Sequence, residues 1–181
     1  MSALAQSLDK IKTQAKPPHI PLVINGKEVH TGQTDKQVMP TDHARTLCTF
    51  STADASLTQE AIKGALIARK QWANTPLEER ATIFLKAADL LSTKYRADVC
   101  AATMLGTGKN AWQAEIDAAV ETIDFWRFNA KYAQDIYGMQ PPENSPGVWN
   151  RVEYRPLEGF IAAISPFNFL GTVASSQNDP F

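Results

Sequence analysis

Phe160-Ile161-Ala162-Ala163-Ile164 runs directly into Ser165-Pro166-Phe167-Asn168, and that junction decides the fold class. Five apolar residues without alternation read as a short strand covered on both faces, the kind found inside parallel sheets. Ser165-Pro166-Phe167-Asn168 breaks the run abruptly. In open α/β sheets, ligands collect beyond the carboxyl ends of the strands, so residues 165–168 are the first place to look for a site. A parallel strand also needs a crossover and a neighbour. Leu170-Gly171-Thr172-Val173-Ala174-Ser175-Ser176-Gln177-Asn178-Asp179-Pro180-Phe181 supplies neither. The expected architecture is α/β and incomplete at its C-terminus.

Upstream of the junction, Val148 to Arg155 reads as a strand, and Pro141-Pro142-Glu143-Asn144-Ser145-Pro146-Gly147 as a loop before it. Further back lies a long helical segment, Ala111 to Tyr137, with Asn110 placed to cap it and Gly138 to end it. Ile116, Val120, Ile123, Arg127 and Ala130 fall on one side; Glu121, Phe125, Phe128 and Tyr132 fall on the other. A helix apolar on two sides is expected to be buried on two sides. Glu115, Asp117, Glu121 and Asp124 crowd its N-terminal half, where the macrodipole favours negative charge. A shorter helix is expected from Tyr95 to Leu105 with Gly106 as its left-handed stop. Thr75-Pro76-Leu77-Glu78 and Ser56-Leu57-Thr58-Gln59 each spell a helix start. The apolar stripes after them are Leu77, Ala81, Phe84, Leu85, Ala88, Leu91 and Ile62, Ala65, Leu66, Arg69, Trp72.

Before residue 56 the period is that of strands. Leu22-Val23-Ile24-Asn25-Gly26-Lys27-Glu28-Val29 puts Asn-Gly between two apolar runs, a strong hairpin signal. A second pair is expected at Gln37–Met39 and Thr46–Phe50, and a short polar helix at Met1 to Thr13.

The 181 residues are 44% hydrophobic and 20% charged, with 18 Lys+Arg against 19 Asp+Glu. That composition is too apolar for disorder and lacks the basic excess of nucleic-acid or membrane-surface proteins. No apolar run approaches the ~20 residues of a membrane span. His19, His30 and His43 have no metal-ligand spacing, so no metal is expected. Cys48 and Cys100 make no disulfide framework and read as small buried hydrophobes.

Four stretches carry a resemblance: Phe84-Leu85-Lys86-Ala87-Ala88-Asp89, Gln113-Ala114-Glu115-Ile116-Asp117-Ala118-Ala119, Asp124-Phe125-Trp126-Arg127-Phe128-Asn129-Ala130-Lys131-Tyr132, and Leu157-Glu158-Gly159 through Phe169. Together they resemble the aldehyde dehydrogenase superfamily, and within it the branch that oxidises L-glutamate γ-semialdehyde to L-glutamate in proline catabolism. The resemblance runs from about the first hairpin to Phe169 and stops at Leu170. It implies the N-terminal part of that fold: a hairpin element, a helical cluster and the first strand of a parallel sheet. The chain then divides into 1–55 (helix and hairpin), 56–140 (helical cluster), 141–169 (linker and start of the cofactor-binding sheet) and 170–181 (a tail that does not match).

The family's chemistry needs a Cys nucleophile, an amide donor for the oxyanion, NAD as hydride acceptor and a Glu that activates water. By resemblance Asn168 is the oxyanion stabiliser, Ser165 contacts NAD, and Glu121 and Phe169 lie at the substrate pocket. The residues alone leave simpler roles open. Asn168 also suits a turn after Pro166, Glu121 a helix-dipole acid, and Ser165 a polar strand end. Neither cysteine sits in the family's nucleophile context, and the Glu base has no match. Gly106-Thr107-Gly108-Lys109 lacks the remainder of a phosphate loop and reads as a helix stop. The resemblance implies a small aldehyde substrate, homo-oligomers and the mitochondrial matrix, although Met1 to Thr13 makes a poor presequence and a cytoplasmic location is the alternative. Two other roles stay open: a truncated subunit acting by association with a full-length enzyme, and a helical domain without an active site.

Overall fold

A computed structural model describes residues 2–166, 168 and 169. Helix α1 (Ala3–Thr13) is capped by Ser2, whose hydroxyl accepts from the Ala5 N–H. Strands β2 (Leu22–Ile24) and β3 (Lys27–Val29) form the expected hairpin, pairing Leu22 with Val29 and Ile24 with Lys27. Asn25 and Gly26 take φ of 53° and 75°, the two positive values a type I′ turn requires. A three-stranded sheet in the order β1-β5-β4 lies beside it. It contains β1 (His19–Ile20), β4 (Thr34–Met39) and β5 (Asp42–Ser51), with β1 parallel to β5 and β4 antiparallel to it. The second strand pair is thus longer than the turn signal at residues 40–43 implies, and a register shift near Val38 absorbs the mismatch.

Four helices follow: α2 (Ala55–Trp72), α3 (Leu77–Ser92), α4 (Arg96–Thr107) and α5 (Ala111–Ala114). The last runs on through a π-helical turn, Glu115–Val120, into α6 (Glu121–Gly138). Asn110 and Gln113 form a reciprocal capping box, side chain to backbone in both directions.

Other ends fall differently from the sequence expectation. Helix α2 is capped by Asp54, whose carboxylate accepts from the Leu57 N–H at 2.8 Å; Ser56 lies inside the first turn. At α3 Pro76 is the N-cap without a side-chain cap bond, and the Thr75 hydroxyl turns back to the Gln71 carbonyl. Helix α4 ends at Gly108, with φ of 73°, rather than at Gly106.

The core is built largely from alanine. Ala88, Leu91 and Ile123 join α3 to α6, with Val99 and Trp126 packed on them. Cys100, Ala114 and Ala119 form a second cluster, covered by Leu4 of α1 and by Met104. Ala88, Ala101, Ala114, Ala119 and Ala133 are wholly inaccessible. Short side chains let helix axes approach closely, and the stability then comes from dispersion and buried area at the contact. Helix α2 is the exception, because none of its residues is buried. Its expected stripe is therefore only partly covered, with Leu66 and Trp72 exposed. It approaches the hairpin through Gly64, where a Cβ would stand 1.6 Å from the Asn25 side-chain oxygen.

Residues 148–155 and 160–164 form no strand here, which corrects the sequence expectation. A strand exists only against a neighbour, and no described strand lies beside either run. Side chains supply the anchoring instead. Gln140 accepts from the Val152 N–H and donates to the Val152 carbonyl, and the Tyr154 hydroxyl donates to the Ile136 carbonyl. Arg69 of α2 donates to the Leu157 carbonyl and pairs with Glu158.

Candidate functional site

Helix α4 ends in the left-handed Gly108, and Asn110 starts the next helix two residues on. Lys109 is caught between two caps and leaves both helices. Its ammonium pairs with Asp117 on the π-helical turn and donates to the Asn168 carbonyl. It also lies 4.8 Å from the centre of the Phe169 ring, within cation–π range. Both members of the Lys109–Asp117 pair are mostly shielded, with 17% and 19% of their side chains accessible. Asn168 and Phe169, 59 and 60 residues further along the chain, are thereby drawn onto the loop between α4 and α5.

Glu121 opens α6 immediately after the π turn, and its N–H bonds to the Ile116 carbonyl five residues back. Short π segments occur mostly as bulges within α-helices, often at functional sites. The extra residue rotates everything downstream of it. Phe125, Phe128 and Tyr132 then form an aromatic row beyond Glu121, Phe128 stacking on Tyr132 at 5.9 Å. That row is 36–54% exposed, whereas Ile123, Ala130 and Ala133 on the other side are buried. Helix α6 is therefore buried on one side and open on the other among the described residues.

The acids crowding this helix start do more than answer its dipole. Glu115 pairs with Arg96, as Asp117 does with Lys109. Burial acts to raise the Glu115 pKa. The hydrogen bonds from Arg96 and Cys100, with the Arg96 charge, outweigh it and hold the carboxyl below its usual range.

Of the expected site residues, the structure brings Asn168 and Phe169 together on Lys109 and places Glu121 one turn beyond Asp117. Asn168 is exposed and Phe169 half-buried. Ser165 stands in a stretch, residues 160–166, that is exposed throughout. Phe167 and the tail 170–181 lie outside the described residues.

Burial disfavours the thiolate at both cysteines. Burial pushes the Cys100 thiol up to about 11, and a hydrogen bond to Glu115 and that carboxylate's charge push the same way, against a smaller pull from Arg96. Burial also raises Cys48, partly offset by the Gln37 backbone. A thiol held protonated is a poor nucleophile. No group of three or more His, Cys, Asp or Glu able to hold a metal occurs among the described residues. No described helix is long and apolar enough to cross a membrane.

Lys109 is the residue that sequence reasoning missed. Its local signal, a cation between a left-handed glycine and a capping asparagine, marks a side chain that belongs to neither helix. Nothing local names its distant partners.

An α/β chain of this topology, with an Asn-Phe turn drawn onto the head of a long helix, matches the N-terminal part of a known oxidoreductase fold. The model of the aldehyde dehydrogenase family matches residues 29–178, and the chain belongs to that family. The match continues past Leu170, beyond the limit the resemblance set. A protein from Agaricus bisporus named Delta-1-pyrroline-5-carboxylate dehydrogenase is 55% identical over 179 residues, covering 99% of this chain and 33% of that protein. The mitochondrial human protein of that name is 50% identical over 167 residues, 92% of this chain and 29% of its own length. The crystal structure of the Mycobacterium tuberculosis Delta-pyrroline-5-carboxylate dehydrogenase bound with NAD superposes with a TM-score of 0.89 at 40% identity, covering 97% of this chain and 34% of that one. The chain spans about a third of the length of the relatives it matches.

Proposed function

We propose that the chain carries the N-terminal part of an NAD-dependent dehydrogenase that oxidises L-glutamate γ-semialdehyde to L-glutamate. The observation that supports it most is the alignment of nearly the whole chain with relatives of that one name. The geometry adds an exposed Asn and a half-buried Phe held together near the head of a helix that begins with Glu121.

In this reading the Asn168 side-chain amide donates to the oxygen of the aldehyde as a thiolate adds and negative charge builds there. Glu121, at the start of an aromatic row, faces the ammonium end of the substrate, and Phe169 walls the pocket. Ser165 touches the cofactor, and bound NAD supplies the hydride acceptor. The thiolate and the water-activating Glu have no counterpart among Cys48, Cys100 and the acids described above. They belong to the two-thirds of the relatives that the chain does not span. The mitochondrial matrix, homo-oligomeric assembly and a small-molecule substrate belong to the same reading.

A direct test replaces the matching region of the Agaricus bisporus protein by residues 1–169 of this chain. With NAD and L-glutamate γ-semialdehyde the chimera should form NADH with kcat within about tenfold of the parent. A folded chimera that binds NAD but turns over no semialdehyde overturns the reading. The 181-residue chain alone should form no NADH; turnover abolished by replacing Cys48 or Cys100 would show that the nucleophile had been misassigned. A second reading, association with a full-length subunit, is favoured by the exposed row of Phe125, Phe128 and Tyr132. It predicts that the chain co-purifies with that enzyme and that charged substitutions in the row abolish the pairing.

A further inference from the structure

The Asn168–Phe169 peptide is held at both ends. Its carbonyl accepts from Lys109, and its N–H, that of Phe169, donates to the Pro166 carbonyl at 3.5 Å. The ring that follows lies against the same ammonium. That ammonium is in turn fixed by Asp117, on the π-helical turn that leads into Glu121. One cation therefore links the turn bearing Asn168 to the helix bearing Glu121, although no regular secondary structure joins the two.

We infer that Lys109 is a positioning residue, which fixes the Asn168–Phe169 turn against the π-helical turn and so sets the distance between the oxyanion donor Asn168 and the carboxylate of Glu121. The catalytic meaning of that distance rests on the function proposed above; the linkage itself does not. Lys109 touches no reacting atom. Its charge acts through three contacts of different kinds: an ion pair, a hydrogen bond to a carbonyl and an aromatic face. A lysine suits this role because its compact ammonium has three donors that can point in three directions. Its neighbours explain why the side chain is free to do so. Gly108 turns the backbone out of α4, and Asn110 caps α5 by accepting from the Gln113 N–H.

The test uses the 181-residue chain and reads conformation rather than turnover, so its failure is separate from failure of the proposed enzyme. Nuclear magnetic resonance should find the Lys109 Cε protons shifted upfield by the Phe169 ring, and Phe169→Leu should remove that shift. Lys109→Met keeps the stem but loses the charge. It should speed exchange of the Phe169 amide roughly tenfold, the scale of one charge-assisted hydrogen bond. The amides of Ile123 and Ala130 in the core should keep their protection. Lys109→Arg should restore most of the Phe169 protection, a rescue that simple loss of packing would not give. Unchanged Phe169 exchange in a folded Lys109→Met chain overturns the inference. Should Lys109→Met unfold the core, the comparison of the parent with Phe169→Leu decides alone: an unshifted Lys109 in the parent overturns it.

Discussion

Ile123 and Ile164 are the same residue in two halves of the molecule, 4% and 87% accessible respectively. Ile123 sits where α6 meets α3, against Ala88 and Leu91. Ile164 ends an apolar run that is exposed throughout. Apolar content does not separate the two regions, since Phe160–Ile164 is the more hydrophobic stretch. What separates them is a partner. Helices α3 to α6 satisfy their backbone internally and need only side-chain contact, whereas an isolated extended run leaves its N–H and C=O groups unpaired. The packed part therefore carries the stability and one proposed site residue, Glu121, and the open part carries Ser165, Asn168 and Phe169. Functional segments are commonly drawn from the less stable end of a structure.

The largest expected effect breaks that comparison on the side of function. In the chimera described above, Asn168→Ala should lower kcat by roughly 10²–10³, the usual loss of one oxyanion donor. The melting temperature and NAD affinity should barely move, because Asn168 is exposed. A fall of less than tenfold would reduce Asn168 to a turn residue.

On the side of stability the contrast runs the other way. Ile123→Ala should cost the 181-residue chain about 2–4 kcal/mol in denaturant unfolding, from lost burial and the cavity left behind. Ile164→Ala should stay within about 0.5 kcal/mol. Equal losses at the two sites would mean that the run from Phe160 to Ile164 is packed in solution after all.

Several features of both halves are legible in sequence, and the reasons differ. The hairpin is, because only Asn-Gly tolerates two successive positive φ values at low cost. The Asn110–Gln113 box is, because both partners are local. The cap of α2 reads from sequence as Ser56, whereas Asp54, two residues earlier, takes the Leu57 N–H. The stop of α4 was obscured by two glycines, where Gly108 rather than Gly106 takes the left-handed turn. The π turn has no local spelling; two of its residues, Glu115 and Asp117, pair with Arg96 and Lys109. Asn168 is singled out in sequence by its position after an apolar run and by family resemblance, Phe169 by the resemblance alone. Their meeting with Lys109 spans 59 residues and is a tertiary fact.

A pH prediction sharpens the packed half further. The folded state holds the Cys100 thiol up to about 11, against an ordinary value of 9.0. The folded chain thus binds that proton more tightly than the unfolded one. The contribution is complete below about 9 and is lost as pH rises toward about 11. Unfolding free energy should fall across that window, and Cys100→Ala should flatten the fall, whatever it costs at neutral pH. A decline that persists unchanged in Cys100→Ala would assign the effect to other groups.

The smallest effect tests α2, which lies between the two extremes: fully helical, yet without one buried residue. A helix with so little tertiary support depends on its ends, because nucleation is unfavourable and packing does not repay it. Asp54 provides the end. Its carboxylate accepts the Leu57 N–H, its carbonyl accepts the Thr58 N–H and hydroxyl, and its charge opposes the positive pole of the helix. Asp54→Ala should cost about 1 kcal/mol, felt locally as faster exchange of the Leu57 amide and some loss of helical circular dichroism. Core amides such as that of Ile123 should be indifferent, since α2 shares no buried residue with them. Ser56→Ala, at the position the sequence alone favours as cap, should change Leu57 exchange by less than about twofold. The reverse result, Ser56 sensitive and Asp54 silent, would move the start of α2 two residues along the chain, to the position the sequence alone favours.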